Sequence, residues 1–268
     1  MTLAVGIDVG GTKIAAGLVD VTTGRLQQRL QVPTRPERDG REVLASCAEL
    51  AAQLGGGTLP VGIGLCELVG LDGRATSADT IDWRDLDPAS AMEAPRVVLE
   101  SDVRAAALAE AAFGAGAGES SFLFVIVGTG ASVCLVADGT PYLGAHGHAI
   151  TLGAPPVERV ASGRALALAA GAARAEDVIG DPAHAALVEG AAAALGGVLA
   201  VLANALDPAL VVLGGGLGTA PVFRERVERA VQERVAYPRV PPLPVVGSFL
   251  GADGGVVGAA LLAADVPG

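Results

Sequence analysis

The feature that most restricts this chain is a pair of matched openings. Leu3 to Asp8 is a short apolar run that enters the turn Val9-Gly10-Gly11-Thr12-Lys13, and a second run, Phe122 to Val127, enters Gly128-Thr129-Gly130 in the same manner. Each turn leads into another strand-like run, Ile14 to Asp20 and Ser132 to Ala137. Asp138-Gly139 then marks a hairpin turn in the second copy, and Leu26 to Val32 makes the first an antiparallel meander. Two such openings, each followed by helical stretches, predict two α/β halves related by internal duplication, with a ligand cleft between them.

The rest of the chain fits that division. A polar, proline-containing break from Pro33 to Gly40 precedes a helical pattern over Glu42 to Leu54, and Val61 to Leu65 reads as a buried strand. Arg96 to Glu100 reads as a strand that runs directly into an alanine-rich helix from about Val103 to Phe113, so Ser101 and Asp102 fall at a strand-to-helix junction. Further helical patterns lie at about Ala161 to Ala170 and Ala183 to Leu206. The strand Leu210 to Leu213 then leads to a third glycine run, Gly214-Gly215-Gly216. A helix from about Val222 to Val235, a strand from Leu243 to Ser248 and a closing helix from about Gly255 to Ala264 complete the pattern. The domain boundary is expected near residue 101, giving domains 1–101 and 102–268, with the closing helix a candidate to pack back on the first.

Composition excludes several classes of function. The chain has 268 residues, of which 51% are hydrophobic, and a net charge of −11. That is enough apolar material for a large core, and the acidic balance makes a nucleic-acid backbone a poor partner. The sequence reading finds no run of about 18 apolar residues to span a bilayer and no signal peptide, so a cytoplasmic, membrane-free protein is expected. Cys47, Cys66 and Cys134 lie far apart without C-x-x-C spacing, which supports neither a disulfide frame nor a cysteine zinc site.

Chemistry is concentrated in the turns. Asp8 to Lys13 sits in a strand–turn–strand, where glycines let the backbone approach a phosphate and Asp8 is a candidate to hold Mg²⁺ directly or through water; an ordinary Gly-Gly hairpin is the plainer reading. The spacing is neither that of a P-loop nor of a dinucleotide fingerprint. Lys13 is the one lysine in the chain. Three glycine turns after strands favour a nucleotide, which needs contacts for both its phosphates and its adenosine. Asp102 has two readings, an N-cap for the helix that follows or a base for a hydroxyl nucleophile.

Taken together these segments resemble the ROK family of sugar kinases and repressors, within the actin, hexokinase and heat-shock-ATPase superfamily. The resemblance spans essentially the whole chain. It is carried by Gly6-Ile7-Asp8-Val9-Gly10-Gly11-Thr12-Lys13, Glu100-Ser101-Asp102 with Ala105 to Glu110, and Gly128-Thr129-Gly130. Gly144-Ala145-His146-Gly147, Ala161-Ser162-Gly163-Arg164-Ala165-Leu166, Gly214-Gly215-Gly216 and Gly254 to Ala260 carry the rest. It implies two ribonuclease-H-like domains of the actin-like ATPase type, ATP with Mg²⁺ as cofactor and a homodimer. It also implies Asp8 at the metal, Gly10, Gly11, Thr12 and Lys13 with Gly128, Thr129 and Gly130 as phosphate loops, and Gly214, Gly215 and Gly216 on the adenosine wall. Asp102 becomes the base for phosphoryl transfer to a polyol hydroxyl.

The chain also departs from that family. Where family sugar kinases follow Gly-Ala-His-Gly with Ala-Gly-Glu-x-Gly-His, this chain has Ala149-Ile150-Thr151-Leu152-Gly153-Ala154, and the cysteine-rich zinc loop is missing before Glu158. No zinc site is therefore expected, with His146 and His148 as loop residues. The family's Pro-Gly is Cys66-Glu67, its Asn before the tryptophan is Asp79, its Glu-Asn-Asp is Glu100-Ser101-Asp102, and its Asn after the base is Arg104. Glu67, Asp79, Ser101, Asp102, His146, Thr151 and Glu158 are accordingly the candidate acceptor residues. Extra carboxylates there suggest an amino sugar or aminocyclitol rather than glucose, and an inward Arg104 would lower the pKa of Asp102. A kinase for a modified sugar or cyclitol, a degenerate binding protein that kept the fold, and a repressor are the three readings. The phosphate hairpin beginning at Leu3 disfavours the last.

Overall fold

The computed structural model describes residues 2–264, apart from 36, 38, 151–154 and 237–240. In chain order its elements are β1 (Leu3–Val9), β2 (Lys13–Asp20), β3 (Arg25–Pro33), α1 (Gly40–Gln53), β4 (Val61–Leu65), α2 (Pro88–Ala91), β5 (Val97–Ser101) and α3 (Asp102–Phe113). Then come β6 (Ser121–Val127), β7 (Ala131–Ala137), β8 (Thr140–Pro141), α4 (Pro155–Ala161), α5 (Gly163–Ala170), α6 (Glu176–Ile179) and α7 (Ala185–Leu206). The chain closes with β9 (Leu210–Gly214), α8 (Gly215–Gly218), α9 (Pro221–Gln232), β10 (Val245–Gly247) and α10 (Gly254–Ala264), with 3₁₀ turns at Pro182–His184 and Gly251–Asp253.

These elements form two units, one from the described residues of Met1–Phe113, Pro141–Ile150 and Asp253–Gly268, the other from those of Gly114–Thr140 and Thr151–Ala252. Each holds a five-stranded mixed sheet, ordered β3-β2-β1-β4-β5 in the first and β10-β9-β6-β7-β8 in the second. In the first, β1 runs antiparallel to β2 and parallel to β4, and β4 runs parallel to β5. In the second, β6 runs antiparallel to β7 and parallel to β9, and β9 parallel to β10. A strand meander followed by two parallel strands thus occurs twice, which is the duplicated α/β architecture of actin-like ATPases.

The first unit is built around β1 and β4, whose residues are almost all buried because helices cover both faces of the sheet. One face packs on α1 through Val43, Leu44, Cys47 and Leu50, together with Trp83 from a loop. On the other face α10 lies on β1, β4 and α3 with almost no side chain between: a Cβ on Gly6, Gly62 or Gly258 would overlap the carbonyl of Val256, Ala259 or Ala105, respectively. The outer strand β3, rich in Arg and Gln, is the solvated edge.

The core of the second unit is set by α7, whose Val188, Ala191, Ala192, Leu195, Leu199 and Ala203 are fully buried against the sheet, α4, α5 and α9. This helix amends the sequence reading of membrane-length segments. Pro182–Leu206 is long and apolar enough to cross a bilayer by length and composition, yet one whole face of it is packed into this core.

Candidate active site

In the first unit the chemistry gathers at the carboxyl ends of the central strands. Strand register places Asp8 opposite Gly64 and Gly64 opposite Glu100, so the three form one row across β1, β4 and β5. Asp102 follows two residues later as the first residue of α3. Gly64 packs against this turn: a Cβ there would stand 3.4 Å from the Asp102 Cα, an ordinary van der Waals contact. Carboxyl ends of parallel strands are where α/β sheets bind ligands, because the next helix begins there and its amides point outward.

Asp8 sits under the start of α10. A Cβ on Gly255 would lie 2.7 Å from the Asp8 Cγ, so the first turn of this helix touches the carboxylate. Burial pushes the Asp8 carboxyl up to about 6, against the pull of Lys13 and Arg29. Asp102 is raised further, to about 7, first by burial, then by the negative charge of Asp8 and, to a lesser degree, that of Glu67. Its Oδ1 accepts the N–H of Val103 at 2.6 Å, which opposes the rise. Asp102 therefore makes a local contact of the capping kind and also has the proton affinity of a base working near neutral pH. Cys66, at the end of β4, donates its N–H to the Val9 carbonyl, and its thiol is pushed far up by burial and by Asp102, Glu67 and Asp8, so it stays neutral.

The β1–β2 turn is fixed from below. Gly10 donates its N–H to the Lys13 carbonyl at 3.0 Å, while the fully buried Thr34 donates its hydroxyl to the Gly10 carbonyl at 2.6 Å and its N–H to Thr12 at 3.0 Å. Thr34 lies in the stretch read from sequence as a polar break. Thr12 and Lys13 are exposed.

Several expected acceptor contacts have other roles. Glu67 is only 4% exposed, and its Oε1 accepts the N–H groups of Thr80 and Ile81 at 2.6 and 2.8 Å. Its Oε2 accepts the Asp79 N–H at 2.9 Å and the Ser77 hydroxyl. The partners of this carboxylate are therefore three backbone N–H groups and a hydroxyl of one loop, neither Arg104 nor another cation. Ser101 is fully buried, with its hydroxyl toward Glu100 at 3.4 Å. Asp79 is exposed, joined to Glu67 through its backbone.

Arg104 does turn inward, at 2% exposure, but it does not lower Asp102. Its guanidinium binds the Glu100 carboxylate through Nε and Nη2 at 2.8 and 2.5 Å, and reaches the carbonyls of Gly147 (2.6 Å) and Val69 (2.7 Å). His146 and His148, either side of Gly147, are exposed with ring centroids 6.5 Å apart, and the His148 Nε2 lies 3.2 Å from the Thr76 hydroxyl. Among the described residues no group of three or more His, Cys, Asp or Glu side chains is arranged to hold a metal ion. Thr151 lies outside the described residues.

The second unit carries the other two glycine turns at the ends of adjacent parallel strands, with Ile126 opposite Gly214 in register. Gly128 donates to the Gly130 carbonyl at 2.9 Å and accepts the N–H of Gly163, at the start of α5, at 2.7 Å. Gly215 adopts φ +77°, where a Cβ would stand 2.5 Å from the Val127 carbonyl, so only glycine fits. Glu158 belongs to this unit: a Cβ on Gly130 would come within 2.7 Å of its Oε1. Gly216 has Glu176 as the corresponding neighbour, at 3.3 Å.

Sequence reasoning missed Thr34, the lock that Glu67 makes and the approach of Gly255 to Asp8. Gly255 alone left a trace, as a glycine where a helix was expected to start.

Comparison with known proteins gives a consistent picture. A family model described as ROK family matches residues 4–266. The chain is 30% identical to a glucokinase of Streptomyces coelicolor, covering 98% of each. It is 31% identical to an N-acetylgalactosamine kinase of Shewanella sp. strain ANA-3, covering 96% of this chain and 95% of the relative. Among solved structures, a ROK family glucokinase from Streptomyces griseus in complex with glucose and AMPPNP superimposes with a TM-score of 0.85 at 27% identity, covering 97% of this chain and 99% of that one.

Proposed function

This chain belongs to the ROK family, and on that premise we propose that it is an ATP-dependent kinase that phosphorylates a hydroxyl of a neutral sugar, with Asp102 as the base. The observation that carries the reading is that Asp8 and Asp102 gather at the carboxyl ends of β1, β4 and β5, each carboxyl raised by burial and Asp102 raised further by Asp8. Related chains of similar length carry the names glucokinase and N-acetylgalactosamine kinase, and one solved relative holds glucose and an ATP analogue.

In this reading Asp102 accepts a hydrogen bond from the acceptor hydroxyl, orients it in line with the terminal phosphoryl group and takes its proton as the new oxygen–phosphorus bond forms and the bond to the departing ADP breaks. A carboxylate near 7 suits this, being ionised at cellular pH yet a stronger base than an ordinary aspartate. The Gly10–Lys13 hairpin, held by Thr34, presents backbone and the Lys13 charge to the phosphates. Asp8 suits Mg²⁺: one carboxylate at the carboxyl end of β1, beside the hairpin assigned to phosphate, fits an ion held by one or two carboxylates and substrate phosphates. When bound there, Mg²⁺ supplies neutralisation of phosphate charge. Gly128–Gly130 and Gly214–Gly216 are assigned to the remaining phosphate and adenosine contacts.

The acceptor is neutral because the electrostatic reason for a cationic one has gone. Glu67 is satisfied by four donors, Arg104 is engaged with Glu100, and Asp79 is exposed. The test is acceptor-dependent ADP release from Mg-ATP with glucose, N-acetylhexosamines, glucosamine and inositols. Turnover on a neutral or N-acetylated sugar is expected. Preference for glucosamine or a cyclitol overturns the acceptor assignment, and nucleotide binding with no turnover on any acceptor makes the chain a degenerate binding protein.

A further inference from the structure

Arg104 is buried at 2% exposure, and its partners come from three separate stretches of chain. The guanidinium takes Glu100 on the strand before Asp102, the Val69 carbonyl in the loop after β4, and the Gly147 carbonyl in Pro141–Ile150. That last segment belongs to the first unit, although the stretches on both sides of it belong to the second.

We propose that Arg104 is a positioning residue for the acceptor: it moors the His146-Gly147-His148 turn and the Val69 loop to the helical turn that carries Asp102, and so shapes the acceptor side of the site while leaving the nucleotide side alone. The inference rests on the kinase reading above. Its physical basis is the planar fork of arginine, which can satisfy a carboxylate and two backbone carbonyls from one rigid group, as the single ammonium of lysine cannot. The turn itself is made for this contact. Gly147 has φ +75°, and a Cβ there would lie 2.7 Å from the Val69 carbonyl and 3.0 Å from the Gly70 Cα, so the two loops meet backbone to backbone and Arg104 bridges their carbonyls. The His148–Thr76 contact at 3.2 Å is a second, weaker tie between the same loops. Because Arg104 is only two residues from Asp102 on one helix, the mooring sets where two exposed imidazoles stand relative to the base. The guanidinium itself is buried and held by these partners, so it acts through the turn and not on the sugar.

Two variants separate this role from simple loss of stability. Arg104→Lys keeps a cation against Glu100 but loses the fork. Gly147→Ala leaves the ion pair whole and pushes the turn away from Val69. Both are expected to raise KM for the acceptor roughly tenfold or more, the scale of a small misplacement, while KM for ATP stays within about twofold. Both are also expected to speed amide hydrogen exchange in residues 141–150 with the β1–β2 hairpin unchanged. An acceptor KM like that of the wild type, or an equal rise in both KM values, overturns the proposal. Wild-type turnover in the same assay tests the kinase reading separately, and the exchange measurement reads the mooring even if no acceptor is found: unchanged exchange over 141–150 in both variants overturns it.

Discussion

Glu67 accepts the backbone N–H of Thr80 at 2.6 Å, and the Thr80 methyl is the nearest group to the empty side of Gly11, where a Cβ would stand 3.4 Å from it. A buried carboxylate is thereby linked through one loop to the hairpin assigned to phosphate. Glu67→Ala would leave the N–H groups of Asp79, Thr80 and Ile81 without their acceptor. A loss of about 3 kcal/mol is expected, since hydrogen bonds to a charged group are worth more than neutral ones and the buried Ile81 N–H would be orphaned. Thermal denaturation checks this, and a melting temperature within a degree of wild type would remove Glu67 from the fold's supports. Glu67→Gln, which turns one acceptor oxygen into a donor facing N–H groups, should be nearly as harmful.

Asp102→Asn distinguishes the cap from the base. The amide oxygen can still accept the Val103 N–H, so the start of α3 survives, but it cannot take a proton. Turnover should fall at least roughly a hundredfold with nucleotide binding and melting temperature preserved. Near-normal turnover would leave Asp102 a cap alone.

The raised carboxyls give activity and stability opposite pH dependences. Between the ordinary carboxylate value of about 4 and its folded value of about 7, Asp102 holds a proton in the native protein that the unfolded chain has released. Stability is therefore greatest at the acid end of that window and declines as pH rises to about 7, with Asp8 adding the same sign up to about 6. Activity runs the other way, rising toward a plateau above about 7 as the base ionises. Asp102→Asn should flatten the stability slope over pH 6 to 7, measured by denaturant titration at several pH values.

Gly255→Ala tests the approach of α10 to Asp8. Alanine favours a helix by about 1 kcal/mol over glycine, so substitution on helical grounds alone would stabilise. Here the new methyl would meet the Asp8 carboxylate at 2.7 Å and must turn it away from its present direction. A rise of roughly tenfold or more in KM for Mg-ATP, with no change in acceptor KM, is the expected outcome of such misplacement. Unchanged nucleotide kinetics would show that the direction of Asp8 does not matter.

The strands, the junction at Asp102 and the glycine turns were legible because each is a local pattern: an apolar run, a break, and a residue type that sterics require. The match between the two sheets could be read from the repeated order of runs. What sequence could not supply was direction. Glu67 was read toward a cationic acceptor and Arg104 toward Asp102, since nothing in their local sequence reveals their backbone partners more than ten residues away at Thr80 and Ile81 or at Val69 and Gly147. Thr34 was hidden for the same reason, its partner Gly10 lying 24 residues earlier. Short helices such as α2 and α6 lack the length for periodicity to show.

The seat of α10 on β1, β4 and α3 has a consequence for how the molecule comes into being. The layer that backs both Asp8 and Asp102 is supplied by Gly254–Ala264, more than a hundred residues after α3 has been made. Gly6 and Gly62 are bare of side chains on the surface that this helix fills, so until it arrives the sheet presents a trough of exposed backbone. On the ribosome the unit begun first is therefore finished last, after the strands and helices of Gly114–Ala252 have all emerged. Closing so long a loop is slow. The ground beneath Asp8 and Asp102 is complete only once Gly254–Ala264 has folded back over strands made far earlier.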